Sequence, residues 1–193
     1  MISAIVRICG LKWGLPYLYH VDEARFAKIA TGYFSGDLNP HFFHVPSLHT
    51  YIIFILWKIL FFFAKISGKI PQQIEFKDWF EMNPTIPILT GRFIIALFSI
   101  GTILLVYIIG KKIFNQRVGL IASMFLILSS THNRLSHSML PTVPMVFFLI
   151  LSFYFIWLIY SQGHWKYYLL AGLFAGLGMA TKYGGHLLFL PLL

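Results

Sequence analysis

The sequence predicts an all-α fold, a polytopic helical bundle embedded in a membrane, and three observations support this class. Of the 193 residues, 58% are apolar and 11% are charged, whereas soluble proteins carry about 25% charged residues. Several apolar runs approach the roughly 20 residues that a helix needs to cross a bilayer. All six carboxylate side chains lie at or before Glu81. The later part of the chain therefore suits the hydrocarbon core, and any carboxylate chemistry must come from the early part.

The charge and cysteine content exclude several other classes of protein. The formal net charge is +9, but the basic residues are mostly separated by long apolar runs. This distribution fits anionic lipid headgroups or a lipid phosphate rather than nucleic acid. The single cysteine, Cys9, excludes an intramolecular disulfide and any cysteine-based metal site. We therefore expect the lipid bilayer as a partner and no nucleic acid.

Five apolar runs have the composition of complete or partial membrane spans: 1–11, 93–110, 118–130, 143–160 and 167–183. The first run is too short to cross alone, so we expect a partial first span. A further span is expected to begin at 186–193. Gly172, Gly176 and Gly178 have the small-residue spacing that lets two helices approach closely. We interpret residues 1–193 as one transmembrane domain of about five spans, a fragment of a larger protein.

The apolar run 51–63 allows two arrangements because Lys58 lies at its centre. A lysine near the middle of the bilayer costs about 2.5 kcal/mol or more. A helix that lies along the interface instead lets its lysines reach the headgroups. We therefore expect residues 12–92 to form a long extracytoplasmic loop with juxtamembrane helices, in which 51–63 is an interfacial helix. A membrane-spanning helix is the alternative.

The basic residues of the short loops predict the orientation. Loops 111–117 and 161–166 together hold four Lys or Arg residues, and loop 131–142 holds only Arg134. Short loops rich in Lys and Arg stay in the cytoplasm. The long early loop then lies on the extracytoplasmic face, whereas the alternative span would move Asp22 to the cytoplasmic side.

Two adjacent carboxylates begin a predicted helix just after the first span. In one interpretation, Asp22 caps this helix and Glu23 favours the positive end of its dipole. In the other, a carboxylate held at the membrane surface acts as a general base. Consecutive residues on a helix point about 100° apart, so Asp22 and Glu23 are expected to have separate roles.

Histidines are the other candidate ligands. His41, His44 and His49 could hold zinc, but none forms with a carboxylate the i, i+4 helical pair of an HExxH site. We expect surface or substrate-contacting roles for them and for His132 and His137. We therefore assign no metal site, and a divalent metal as cofactor is kept as an alternative.

Lys182 is the one charged residue after Tyr167. By the orientation above, it lies toward the extracytoplasmic end of its span. A lysine in this position is a functional candidate by default. The alternative is a side chain that snorkels to the outer interface.

Several segments in a fixed order resemble one enzyme family. They are D-E-x-x-F-x-x-x-A at 22–30, G-D-x-x-P to P-S-L-x-x-Y at 36–51, the run that begins G-R-F-I-I-A at 91–114, R-L-S-H-S-M-L-P-T-V-P at 134–144 and A-G-L-F-A-G-L-G-M-A-T-K-Y at 171–183. Together they resemble the N-terminal half of the GT-C superfamily of polytopic glycosyltransferases. The most similar branch is that of the dolichyl-phosphate-mannose protein mannosyltransferases and the aminoarabinose transferases.

The resemblance implies a reaction and a set of site residues. Such enzymes transfer a sugar, usually with inversion, from a polyprenyl- or dolichyl-phosphate donor to a hydroxyl of a protein or lipid acceptor. The reaction takes place on the extracytoplasmic face of the cell membrane or of the endoplasmic reticulum. By similarity, Asp22 is the general base and Glu23 orients the site. The substrate or lipid phosphate is assigned to basic side chains, namely Lys182, Arg25, His44 and Arg134.

Two positions depart from the family pattern. Thr142 stands where the pattern often has a second acidic residue, and Val45 stands where aminoarabinose transferases have a lysine. An inactive homologue is therefore one alternative to an active transferase. The other is a transporter or lipid flippase without chemistry. Against the transporter, the carboxylates cluster outside the predicted spans, whereas transporters hold ionisable groups at the membrane midplane.

Overall fold

The computed structural model describes residues 2–17, 20–71 and 73–184, and within these ranges the regular structure is entirely helical. The α-helices are α1 Ile2–Ile8, α2 Val21–Gly32, α3 Leu48–Ile66, α4 Phe76–Met82, α5 Thr85–Ile113, α6 Gln116–Leu128, α7 Ser130–Ser136, α8 Thr142–Gln162 and α9 Trp165–Thr181. A 3₁₀ turn, Tyr33–Ser35, extends α2. The all-α fold class predicted from the sequence is confirmed.

Among the described residues, three helices, α3, α5 and α8, are long and apolar enough to cross a membrane, so the chain is an integral membrane protein. Helix α5 has 29 residues and is about 44 Å long, which exceeds the hydrocarbon thickness of about 30 Å. It begins at Thr85, well before the predicted start at Phe93. Helix α8 matches the predicted run 143–160. The span expected at 186–193 lies outside the described residues.

The run predicted at 118–130 forms α6, which ends at Leu128, and an extended residue, Ser129, separates α6 from α7. Arg7 of α1 is fully buried beside this break. Its Nη2 donates to the carbonyl oxygens of Leu126, at 3.0 Å, and Ile127, at 3.4 Å, and its Nη1 donates to Asn133 Oδ1. These carbonyls belong to the last turn of α6, where helix carbonyls lack intrahelical partners and attract cations. Arg7 thus stabilises the point at which the two helices diverge.

Close helix packing depends on glycines, though only partly on those the sequence singled out. A Cβ on Gly178 would lie 2.7 Å from Leu149 Cδ2 of α8, whereas Gly172 and Gly176 have nothing within 4 Å. The expectation of close approach is therefore right at Gly178 and wrong at the other two among the described residues. The backbones of α5 and α6 also approach closely, since a Cβ on Gly119 would lie 2.6 Å from the Tyr107 carbonyl oxygen.

Helix α3 has a buried face, an exposed apolar face and lysines beside the exposed face. Its buried side chains are His49, Thr50, Ile53 and Trp57. Its exposed apolar side chains are Ile55, Ile59, Phe62, Phe63 and Ile66. Lys58 lies over the Phe54 ring at 5.7 Å and Lys65 over the Phe61 ring at 4.6 Å. An apolar stripe flanked by lysines is typical of an interfacial helix, yet the length of α3 also suits a span, so its interfacial position stays a prediction.

Cysteine labelling distinguishes the two positions of α3. We expect a membrane-impermeant thiol reagent, applied from outside to a Cys9→Ser background, to modify Leu38→Cys and Met82→Cys but not Phe114→Cys. All three native side chains are exposed, so accessibility within the protein does not limit the reaction. Labelling at only one of positions 38 and 82 would instead make α3 a span, and labelling at 114 from outside would reverse the orientation.

Candidate functional site

A buried ion pair joins Glu23 of α2 to Arg92 of α5. Arg92 Nε and Nη2 donate to Glu23 Oε1 and Oε2, each at 2.7 Å, and both residues are almost fully buried. Arg92 Nη1 also donates to the carbonyl oxygens of Leu11 and Trp13, each at 2.8 Å. The Met139 backbone N–H donates to Glu23 Oε1 at 2.9 Å. A bidentate pair whose other donors and acceptors are also satisfied is the geometry in which buried charges are stable.

This pair connects four parts of the chain: the turn after α1, helix α2, helix α5 and the segment before α8. In the sequence, Arg92 stands directly before the predicted span at 93–110. The sequence contains one signal for this pair, an arginine within a long apolar helix. Such a charge requires an acidic or carbonyl partner. Glu23 is therefore bound to Arg92 and Met139 rather than exposed to a substrate.

Asp22 differs completely from its neighbour in exposure. Helix α2 begins at Val21, and its cap is His20, whose Nδ1 accepts from the Asp22 backbone N–H at 3.3 Å. The interpretation of Asp22 as the capping residue is therefore wrong, because Asp22 lies in the first turn. Its side chain is 52% exposed and pairs with Arg25 at 3.3 Å. The two carboxylates therefore have different surroundings, and their separate roles stay a prediction.

The segment that joins α2 to α3 contacts two distant parts of the chain. These are the N-terminal part of α2, where Asp22 lies, and the residues that follow α9. The Arg25 guanidinium lies 5.3 Å from the centre of the Phe42 ring. The next residue, Phe43, accepts a hydrogen bond at its carbonyl oxygen from the Tyr183 hydroxyl at 3.0 Å. His44 is exposed and its ring lies 5.2 Å from that of Phe42. Arg25 and His44 are thus linked through this segment to the residues that follow α9.

Lys182 lies directly after the last residue of α9, and its Nζ donates to Thr142 Oγ1 at 3.1 Å. Thr142 is the first residue of α8. The lysine that the sequence singled out and the threonine that departs from the family pattern are therefore partners. A neutral hydroxyl orients the ammonium group without cancelling its charge.

The histidines divide into buried and exposed groups. His49 is 1% exposed, and its Nε2 lies 3.2 Å from the Met139 carbonyl oxygen. His132 is also buried, and burial together with the nearby Arg7 charge lowers its pKa to about 4. The expectation of surface or substrate-contacting roles is wrong for these two, because each is enclosed by packed helices. His41 is exposed and pairs with Asp37 at 2.7 Å, a hydrogen bond that lowers the pKa of the Asp37 carboxyl.

The remaining candidates are less well supported by the geometry. Arg134 is exposed on α7, and among the described residues no hydrogen bond, ion pair or ring contact joins it to Asp22, Arg25, His44 or Lys182. His137 Nε2 lies 2.8 Å from the Cys9 carbonyl oxygen, which makes a contact between α7 and the end of α1. Across residues 2–17, 20–71 and 73–184, no cluster of three His, Cys, Asp or Glu residues could hold a metal ion.

Breaking the buried pair should destabilise the fold far more than breaking the exposed one. We expect Glu23→Gln or Arg92→Met to lower the free energy of unfolding by about 3–5 kcal/mol. Each change leaves the other member of the pair as a buried charge without its partner. Asp22→Asn is the matched control, since its exposed ion pair is worth about 0.2–1 kcal/mol. Thermal unfolding in detergent measures both. Equal losses for the two pairs would contradict the structural role given to Arg92.

Comparison with known proteins identifies the family to which the chain belongs. No curated protein and no solved structure matches the chain. The model of one family, described as dolichyl-phosphate-mannose-protein mannosyltransferase, matches residues 87–193, which is more than half of the sequence. The matched region contains Arg92, Thr142 and Lys182, and it excludes Asp22 and Glu23. On this match, the chain belongs to the dolichyl-phosphate-mannose-protein mannosyltransferase family of membrane glycosyltransferases.

Proposed function

We propose that the protein transfers a sugar from a polyprenyl-phosphate donor to an acceptor hydroxyl at the extracytoplasmic face, with Asp22 as general base and Lys182 facing the donor phosphate. The observation that carries this proposal is the difference between the two adjacent carboxylates. Glu23 is fully engaged by Arg92 and Met139, whereas Asp22 is half exposed. Only Asp22 therefore has oxygen atoms that an acceptor can reach.

The reaction requires one base and at least one cation. The acceptor hydroxyl loses its proton to an Asp22 carboxylate oxygen while its own oxygen bonds to the anomeric carbon of the sugar. The bond between that carbon and the phosphate oxygen breaks, and the electron pair remains on the polyprenyl phosphate. Attack from the side opposite the leaving group inverts the anomeric carbon. The departing phosphate gains negative charge, so a preorganised cation lowers the barrier.

Lys182 is suited to this second role by its contact with Thr142. An acidic residue at position 142 would form an ion pair with the ammonium group and compete with a phosphate. The hydroxyl of Thr142 instead accepts one hydrogen bond at 3.1 Å and leaves the positive charge available. We infer that Thr142 is compatible with activity, which favours an active enzyme over an inactive homologue.

The proposed orientation of the helices determines the side of the membrane on which the donor binds. We propose that α3 lies in the membrane interface, so that the segment 36–47 and the start of α2 face the extracytoplasmic side. Arg25 pairs with Asp22 and lies over the Phe42 ring, so it can hold the base in place and contact the donor. His44 and Arg134 are proposed as further contacts to the substrates at the exposed surface. No resident cofactor is assigned, and a divalent metal stays open.

Transport without chemistry is supported less well. A transport path needs ionisable groups that exchange partners during the cycle. The buried charged residues Arg7, Glu23 and Arg92 are instead held by fixed hydrogen bonds. Family membership also favours the transferase.

Replacing the proposed base should abolish turnover but preserve the fold. We expect Asp22→Asn to reduce sugar transfer from dolichyl-phosphate mannose by about 10²- to 10⁴-fold, because a general base contributes that factor. Donor binding should change little, since the amide keeps the shape of the side chain. Asp37→Asn is the matched control, because Asp37 is another exposed carboxylate that pairs with a neighbouring residue. Activity of Asp22→Asn within about threefold of wild type would remove Asp22 from the chemistry.

The charge of Lys182 should be needed for the donor. We expect Lys182→Met to weaken donor affinity or rate by roughly thirty- to a hundredfold, since a charge-assisted contact to phosphate is worth about 2–3 kcal/mol. Lys182→Arg should restore part of this loss because it returns the charge with different geometry.

The control for Lys182 is Lys166→Met, at the opposite end of α9 and exposed. Turnover of the four proteins is compared at equal membrane expression. Equal rates for Lys, Met and Arg at position 182 would make this residue a snorkelling lysine.

A further inference from the structure

A cavity of about 1150 Å³ lies between α2, α3 and α4, and it is separate from the proposed transfer site. Helix α2 contributes Ala24, Lys28 and Thr31 to its wall. At 100° per residue, these positions lie about 180–240° around the helix from Asp22. The cavity and the proposed base are therefore on opposite faces of α2. Its volume is comparable to or larger than that of typical ligand pockets, about 300–1,000 Å³.

Lysines from three different helices line this cavity: Lys28 of α2, Lys65 of α3 and Lys77 of α4. Glu75 and Glu81 line it as well, so the carboxylates reduce the positive charge without cancelling it. Thr31 also lines the cavity, but its hydroxyl oxygen is buried and has no hydrogen-bond partner among the described residues. The ammonium groups of the three lysines are suitable donors to the oxygen atoms of a phosphate.

Aromatic side chains also line the cavity, next to the exposed apolar face of α3. Phe34, Phe61 and Phe80 line the cavity. Phe61 directly precedes Phe62 and Phe63, which are 60% and 63% exposed. An exposed apolar stripe of this kind in a membrane protein faces lipid. The lysines therefore lie next to a surface on which acyl chains are present.

We propose that this cavity binds the phosphate of a membrane phospholipid, with the headgroup at Lys28, Lys65 and Lys77 and the upper part of the acyl chains along the phenylalanines. The ligand class is a phosphate ester attached to an apolar chain. The site is distinct from the one proposed for the sugar donor, and it does not depend on the transferase activity. Bound lipid would join α2 and α4 to α3 at the membrane surface.

Lipid titration of the purified chain in detergent tests this proposal, with native mass spectrometry to count bound lipid. The first probe is dioctanoyl phosphatidylglycerol, which has both the phosphate ester and the chains. Glycerol phosphate has only the ester, and dioctanoylglycerol has only the chains. We expect the phospholipid to bind at least about tenfold more tightly than either fragment, because each fragment loses one half of the site.

Variants identify the cavity as the location. Near a membrane surface each basic residue contributes about fivefold to anionic lipid affinity, so Lys65→Gln should weaken binding about fivefold. The double change Lys28→Gln/Lys77→Gln should weaken it by about tenfold or more. Lys58→Gln is a matched control, because Lys58 also lies over a phenylalanine four residues earlier on α3 but does not line the cavity. It should bind lipid within about twofold of wild type.

Several outcomes would overturn the proposal. Equal binding of glycerol phosphate would assign the cavity to a soluble phosphate ester, and equal binding of dioctanoylglycerol would make it an apolar groove. An equal loss in Lys58→Gln would mean that the lysines attract lipid without a defined site. Thermal unfolding of each variant without lipid shows whether lost binding reflects lost structure, and a folded Lys65→Gln protein with unchanged affinity would also refute the site.

Discussion

The bidentate pair between Glu23 and Arg92 is the constraint on which the arrangement of the early helices depends. A carboxylate and a guanidinium removed from water lose several kcal/mol of hydration each, and their attraction compensates only if the remaining polar atoms are also satisfied. Here Glu23 accepts three hydrogen bonds and Arg92 also donates to two backbone carbonyls. Because these partners come from four segments, the pair is stable only when all four are in place.

The same pair determines the direction of Asp22. Since Glu23 must face Arg92 in the bundle, its neighbour about 100° away on α2 faces the surface, where it is half exposed. The two acidic residues therefore act as an anchor and a candidate base. Removal of the anchor would alter the orientation of the candidate base through the backbone of α2, without an interaction between the two side chains.

The sequence predicts the local features of this structure better than its long-range contacts. Composition and apolar runs indicate the membrane helices, and α8 lies close to the predicted run. The partner of Glu23 lies 69 residues away, and no local periodicity specifies that pairing. The burial of His49 and His132 has the same origin, because their enclosing side chains come from distant helices. The break at Ser129 likewise depends on Arg7, whose hydrogen bonds cross more than a hundred residues.

The basic side chains of the apolar helices differ in what balances their charge, and this difference supports the proposed site. Arg92 has a carboxylate partner, and Arg7 binds the carbonyl end of α6, where the helix dipole is negative. Lys58 and Lys65 lie over aromatic rings beside the exposed face of α3. Lys182 instead donates to a neutral hydroxyl, as Lys112 of α5 does to the hydroxyl of Tyr154. A partly buried cation held in position by a neutral group gains more from an anionic ligand than one that already has a carboxylate partner. Position 142 holds a threonine where the family pattern often has an acidic residue. This difference therefore strengthens the assignment of Lys182 to a phosphate.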